Sequence, residues 1–470
     1  MNNQQSQPVG QLPGYITSAV SNPKDKRAPW YKNTAPTYAG IFLWFVFWDP
    51  VTSGGQALAA GLPAALVGLV LSAVACHFLF YLVPGLFGMK TGLPLYIVGT
   101  STFGARGGFL MPGFLMGVLQ FGWVGVNAFF SAMLIYNAFA STPIDPGSHY
   151  PVPGHTIIAI VFAALAAFMG LKGIKYVARV ATYLPLLPLA ILLILVIKTI
   201  GGLGDFKPEQ IIVSQKITAP LSSLGVIALM LTYVVGFFAT AGAAGVDFGL
   251  NSRDKKDVSN GGLIGIALAI IVTAGLSLMV VAGAYGGAAP TAIPTAANAT
   301  GLMGAIMGKK TGDIFMLLLA IAAFPPGCFS SFIAANSFKT TLPKVNPFIS
   351  VGIGTVVSII LAVTGWAGQV VDVFKVIGAS FGPICGAMLV DYLLSGGKWT
   401  GPRAGFNPAG WIAWALGFIV GILPLIKIYD LPAAPVAAFV VGAIVYFLCA
   451  KMGMQSPVVP VSGPLAETTK

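Results

Sequence analysis

Charged side chains make up only 8% of this sequence, against about 25% in a soluble protein. So few ionised groups cannot clothe 470 residues in a hydrated surface, which excludes a soluble enzyme. Acidic residues are scarcer still, 13 against 25 basic ones, and leave a formal charge of +12. The basic residues stand singly or in twos and threes between apolar runs, so no dense patch addresses a nucleic acid. Cysteine occurs four times, at Cys76, Cys328, Cys385 and Cys449, always in an apolar stretch and without ligand-like spacing. That pattern argues against a disulfide framework and against a thiolate metal site, and no cofactor is expected. Paired catalytic carboxylates, an HExxH pair, a nucleophile elbow and a phosphate loop are all missing, so nothing marks an enzyme. The polar opening stretch has no apolar signal-peptide core.

Hydrocarbon is what the chain has in quantity. Hydrophobic residues are 56% of the total, gathered in runs of about 20, the length that crosses a bilayer as a helix. These runs lie near 39–60, 64–85, 110–138, 155–171, 181–200, 222–247, 261–284, 313–335, 347–368, 373–393, 408–426 and 432–450. The fold class that follows is an all-α polytopic membrane protein with twelve transmembrane spans. Charge tests the count, because one extra or missing span would reverse the side of every later loop. With the N-terminus in the cytoplasm, 18 of the 25 basic residues fall on the cytoplasmic side. The expected location is the cytoplasmic (inner) membrane, multi-pass, with both termini inside. A short interfacial segment is expected within 201–220, a surface or re-entrant helix between Ala288 and Lys310, and a flexible tail from Pro457 onward.

Two runs carry helix-breaking features at matching positions, five spans apart. The first holds Asp49-Pro50 and then Gly54-Gly55; Pro50 lacks an amide proton and disrupts the preceding turn. The sixth holds Gly236, Gly242 and Gly245 around Phe237, Phe238 and Thr240. Interrupted helices in corresponding places of two halves are the sequence sign of an inverted-repeat transporter with its site near the bilayer midplane. The organisation expected is a tail over 1–38, a five-helix repeat over 39–200, a connection over 201–221, an inverted five-helix repeat over 222–393, a two-helix hairpin over 394–450 and a tail over 451–470. A plain kink at Pro50 and simple packing at the glycines compete with that reading.

The blocks Gln120-Phe121-Gly122-Trp123-Val124-Gly125, Gly236 to Phe248, Gly378 to Leu394 and Lys90-Thr91-Gly92-Leu93-Pro94 resemble the nucleobase:cation symporter-1 family, most of all its bacterial cytosine/purine permease branch. The resemblance covers roughly 35–450. It implies a ten-helix inverted-repeat core with two added C-terminal helices, importing a small planar nitrogen heterocycle by alternating access. It further implies that Trp123 and Phe238 sandwich the ring, with Gln120 one turn before Trp123 and Asn127 one turn after it reading the ring edge. Gly236 then marks the broken sixth helix, Phe237 adds to its aromatic wall, and Thr240 supplies a small hydroxyl. Spacings of three and four put Gln120, Trp123 and Asn127 on one helix face.

The sequence departs from the family where a cation is coupled. Sodium-dependent relatives carry hydroxyls in the eighth helix; the corresponding stretch here reads Ala322-Ala323-Phe324-Pro325-Pro326-Gly327, and Phe324 replaces a substrate-facing amide. Asp49 occupies the first-helix break instead of a small neutral residue, and an intramembrane carboxylate must neutralise, reach water or pair. Asp49 is therefore the coupling candidate, for H+ first, with Na+, a cationic substrate amine and a structural role as alternatives. Asp247 and Asp391 read as gate or scaffold residues at the ends of the sixth and tenth helices. The expected partners are the planar solute, the coupling ion and the bilayer, with no nucleic acid and no obligatory protein partner.

Overall fold

In hydrocarbon every backbone amide must find its partner inside the chain, so apolar runs of this length can only be helical. A computed structural model describes residues 12–181, 183–289 and 293–461, and the chain it shows is an all-α polytopic membrane protein. Among the described residues nine helices are long and apolar enough to cross a membrane. They are Leu62–Thr91, Phe109–Phe139, Pro153–Lys172, Leu186–Asp205, Ser223–Ala243, Lys255–Gly286, Lys309–Thr341, Val370–Leu394 and Ala434–Lys451. Three further expected crossings fall short on length: Pro347–Val363, Pro408–Ile422, and the interrupted opening segment. Ordinals below follow the twelve expected segments.

The opening segment is helical over Thr34–Phe42, extended at Trp44 (φ −76°, ψ 127°) and helical again over Phe45–Trp48. After Pro50 it runs on in turns, with Gly55 left-handed at φ 76°. The discontinuity expected at Asp49-Pro50 thus begins five residues earlier, and the helix starts at Thr34, inside the stretch read as a tail. The sixth helix requires a correction. Gly236 is helical (φ −59°, ψ −48°), and the interruption falls at Ala244, where Gly236–Ala243 gives way to Gly245–Gly249. A Cβ on Gly236 would sit 2.8 Å from the Phe374 carbonyl oxygen, so this glycine serves the approach of the sixth and tenth helices. The eighth helix also breaks, at Ala323, with Pro325 and Pro326 in the first turn of its second half, where their missing amide protons cost nothing.

The helices sort into two packing groups. The first, second, sixth and seventh pack on one another, and the third packs on the fourth, eighth and ninth; the tenth packs on the sixth and on the last two helices. Close crossing in a bilayer relies on small residues. A Cβ on Gly88 would run into the Val246 carbonyl, and one on Gly249 into the Gly85 carbonyl, so the second and sixth helices meet backbone to backbone. Gly88→Ala is expected to lower the stability of the detergent-solubilised protein by about 1–3 kcal/mol, the usual cost of overpacking, read as a fall in Tm.

Both described ends of the chain lie on one face of the molecule. Residues 12–33, expected as part of a polar tail, form a strap. The Tyr15 hydroxyl donates to the Ala105 carbonyl, and its ring stands 5.6 Å from that of Phe109. Further along, Ser21 donates to Thr91, Asn22 to Leu250 and Asn251, Arg27 to Met89 and Ser252, and Asn33 to Phe248. The C-terminal stretch is bonded as well: Ala404 N donates to Pro457 O and Val459 N to Pro402 O at 2.8 Å. Of the flexible tail expected from Pro457, residues 457–461 are thus held against the protein; residues 462–470, like 1–11, lie outside the described residues. On the opposite face the expected short segments appear as the helices Pro208–Ser214 and Ala299–Met307. Cys76, Cys328, Cys385 and Cys449 are free and buried.

Candidate functional site

Four aromatic rings meet where the opening helix breaks. Trp123 of the third helix stands 5.0 Å from Phe237 of the sixth, 5.7 Å from Phe374 of the tenth and 6.1 Å from Trp44 at the interruption itself. Phe237 closes the set at 5.3 Å from Phe374 and 6.4 Å from Trp44, with Phe47 behind it at 4.9 Å. All are buried. Trp123 and Phe237 meet edge to face at 74°, a favoured contact between quadrupoles. A planar guest between two rings needs them about 7 Å apart, twice the thickness of a ring, so admitting one requires Phe237 or Trp44 to move off Trp123.

The polar residues of the third helix divide. Among the described residues Gln120, buried beside Trp123, has only the Met116 thioether at 3.5 Å as partner of its amide nitrogen, which leaves its hydrogen-bonding capacity largely available. Trp123 Nε1 donates to Thr240 Oγ1 at 3.4 Å, which ties the third helix to the sixth. Asn127 is committed elsewhere: Nδ2 donates to the Ala323 carbonyl at 2.8 Å, at the break of the eighth helix, and Oδ1 accepts from Ser131 at 3.3 Å. Phe238 is also turned away from Trp123. It packs on Phe42 at 5.7 Å and Tyr38 at 5.8 Å, so the ring that faces Trp123 is Phe237. Phe324 faces Phe162 of the fourth helix at 5.5 Å. Sequence reasoning missed Trp44, five residues before the quoted Asp49-Pro50, and Phe374, four residues before the quoted block Gly378 to Leu394.

Asp49 lies outside the aromatic cluster, buried against the helix Ala299–Met307. Oδ1 accepts from Thr300 N at 3.0 Å, and Oδ2 accepts from Asn298 Nδ2 at 2.5 Å and from the Thr300 hydroxyl. The carboxylate thereby caps the first turn of that helix, where the backbone N–H groups carry partial positive charge. The stretch leading into the helix is held by Ser214 on Pro294 O, Gln215 on Thr295 O at 2.8 Å and Tyr285 on Ala296 O at 3.0 Å. Segment 293–307 is thus hydrogen-bonded along its entry and tied to the broken helix by Asp49.

The other two acids sit at the strap end. Asp247 accepts from Leu95 N at 3.0 Å and joins the sixth helix to the loop after the second. Asp391 is the centre of a buried network: Ser101 at 2.7 Å, Thr102 at 3.2 Å, Tyr446 at 2.8 Å and the Arg403 guanidinium at 3.4 Å. Arg403 also donates to Ser101 O and Ser456 O. This welds the tenth and twelfth helices, through Asp391 and Tyr446, to the segment at 95–106, a scaffold arrangement. Among the described residues no cluster of three or more metal-ligating side chains occurs. A lateral groove of about 450 Å³ runs along the Val118–Gly122 side of the third helix with apolar walls, away from the aromatic cluster.

No family model matches the chain. Among solved structures, the inward-facing conformation of Mhp1 superposes with a TM-score of 0.66 at 14% identity, covering 98% of this chain and 99% of that one. The chain shares the Mhp1 fold. Mhp1 in a closed conformation with bromovinylhydantoin bound, described as a nucleobase-cation-symport-1 family transporter, gives 0.62 at 15% identity over 95% and 99%. A Na+-coupled sialic acid symporter gives 0.53 at 13% identity over 92% of each chain. In sequence, the cytosine permease of Escherichia coli (strain K12) is 27% identical over 427 residues, 87% of this chain and 89% of that protein.

Proposed function

We propose that this protein is a secondary active importer of a nucleobase or related planar nitrogen heterocycle, working by alternating access across a five-plus-five inverted-repeat core. The observation that carries the reading is the aromatic cluster of Trp123, Phe237, Trp44 and Phe374 at the interruption of the first helix, in a chain of Mhp1 fold. Flat rings supply dispersion and quadrupole contact to a flat solute, and the Gln120 amide beside them offers both a donor and an acceptor. Nothing in the cluster is a nucleophile or a paired acid and base, so the chemistry is reversible capture.

Substrate reaches the cluster from outside when segment 293–307, acting as a lid, leaves Asp49, and passes inward when the strap end opens. Release of the lid removes the three donors of Asp49, so the two arrangements differ in their hold on a proton. A ligand that binds one state better than the other shifts their balance. That difference, with no hydroxyl in Ala322 to Gly327, favours H+ as the coupled ion and Asp49 as its carrier. Reconstituted protein is expected to accumulate a labelled nucleobase under an imposed proton gradient and not under a sodium gradient alone. Asp49→Asn should abolish that accumulation and keep substrate counterflow within about threefold of the parent. Accumulation by D49N at the parent rate removes Asp49 from coupling, and absence of counterflow in the parent removes the transport reading.

A further inference from the structure

Trp44 and Trp123 are both indoles of the central cluster, and their N–H groups are in different circumstances. The donor of Trp123 is occupied by Thr240 Oγ1 at 3.4 Å. The donor of Trp44 is buried and has no hydrogen-bond partner among the described residues, although the side chain is only 7% exposed. Native structures rarely leave a buried donor unmatched, and an exception calls for a reason. Here the orphan stands in the wall of the cluster, its ring 6.1 Å from Trp123 and 6.4 Å from Phe237. The backbone holds it there: Trp44 is the one extended residue between Thr34–Phe42 and Phe45–Trp48, and its own carbonyl accepts from Phe47 N at 2.9 Å.

We propose that the Trp44 indole N–H is the hydrogen-bond donor that reads an exocyclic carbonyl oxygen of the transported ring. The assignment rests on the transport reading above and adds the chemistry of one substrate edge. A carbonyl oxygen suits a fixed donor because its two lone pairs accept over a broad range of approach. Gln120 offers both a donor and an acceptor to the remaining edge, and Thr240 is already engaged by Trp123. The site therefore selects oxo-bearing heterocycles over rings that lack a carbonyl, since a ring without one leaves the Trp44 donor buried and unmatched.

The test compares uracil and cytosine with 2-thiouracil, 4-thiouracil and 2-thiocytosine, whose sulfur is the poorer acceptor, on purified full-length protein and on Trp44→Phe. Binding is read by tryptophan fluorescence and confirmed by competition against labelled uptake. The parent should bind the oxo form of at least one base about tenfold more tightly than its thio form, and W44F should reduce that ratio to about one by weakening the oxo ligand alone. Equal weakening of oxo and thio ligands, or an unchanged ratio, overturns the assignment and leaves Trp44 as packing. Should W44F fail to fold, the oxo-to-thio ratio on the parent still decides, because a ratio near one for every pair refutes a carbonyl-reading donor. If the parent binds none of the five bases, this assignment is overturned, whereas the transport reading, which also covers purines and other planar heterocycles, is judged separately by counterflow.

Discussion

Trp123→Ala is expected to weaken binding of a planar heterocycle roughly 100-fold, the larger end of what one stacking ring contributes to a bound base. Trp123 touches three of the cluster's rings and fixes Thr240, so its removal opens both the stacking wall and the link between the third and sixth helices. Phe237→Ala should cost about tenfold, because Phe237 faces Trp123 directly. Phe238→Ala gives the contrast: its ring lies against Tyr38 and Phe42, so the loss should fall on thermal stability and leave affinity within about twofold. Ligand titration and melting of the three variants side by side would show the split. A Phe238→Ala protein that melts normally and binds tenfold worse would put the site on the wrong face of the sixth helix.

The largest effect on stability should come from Asp391→Ala. Removing one member of a buried charge pair strands the other, at about 3–5 kcal/mol. Here the stranded group is Arg403, with a side chain 10% exposed, and the Ser101 and Tyr446 hydroxyls lose their acceptor as well. The result should be a sharply reduced monodisperse fraction in size-exclusion chromatography and a clear fall in Tm. Asp391→Asn keeps one acceptor oxygen, for either Ser101, which bonds Oδ2, or Tyr446, which bonds Oδ1, and should lie between alanine and the parent. Equal melting of parent and D391A would refute the welding role.

Much of the helical plan was legible because hydrocarbon length and helix length are tied by geometry, as the third run shows: expected near 110–138, found over Phe109–Phe139. The face carrying Gln120 and Trp123 was legible for the same reason, through spacing on one helix. Asn127 shares that spacing yet reaches the eighth helix instead, and no local signal reveals a carbonyl nearly 200 residues away. Phe237 and Phe238 are neighbours about 100° apart around one helix, and composition alone cannot tell which of two identical rings turns inward. Trp44 was hidden because Pro50 and the glycines drew the break downstream; its extended backbone is imposed by tertiary packing and not by its own residue type. Asp49 was marked as unusual by its setting, but its partners Asn298 and Thr300 belong to a segment whose helix carried only a weak signal.

The strap at residues 12–33 has a consequence for how its end of the protein can open. Its anchors are strung one after another along the segment, Tyr15 on Ala105 at one extremity and Asn33 on Phe248 at the other. Such a row yields by peeling. Each anchor that lets go surrenders about 0.5–1.5 kcal/mol and is at once taken over by water. The movement is thereby divided into many small steps, whereas a rigid plug would demand its whole release energy at once.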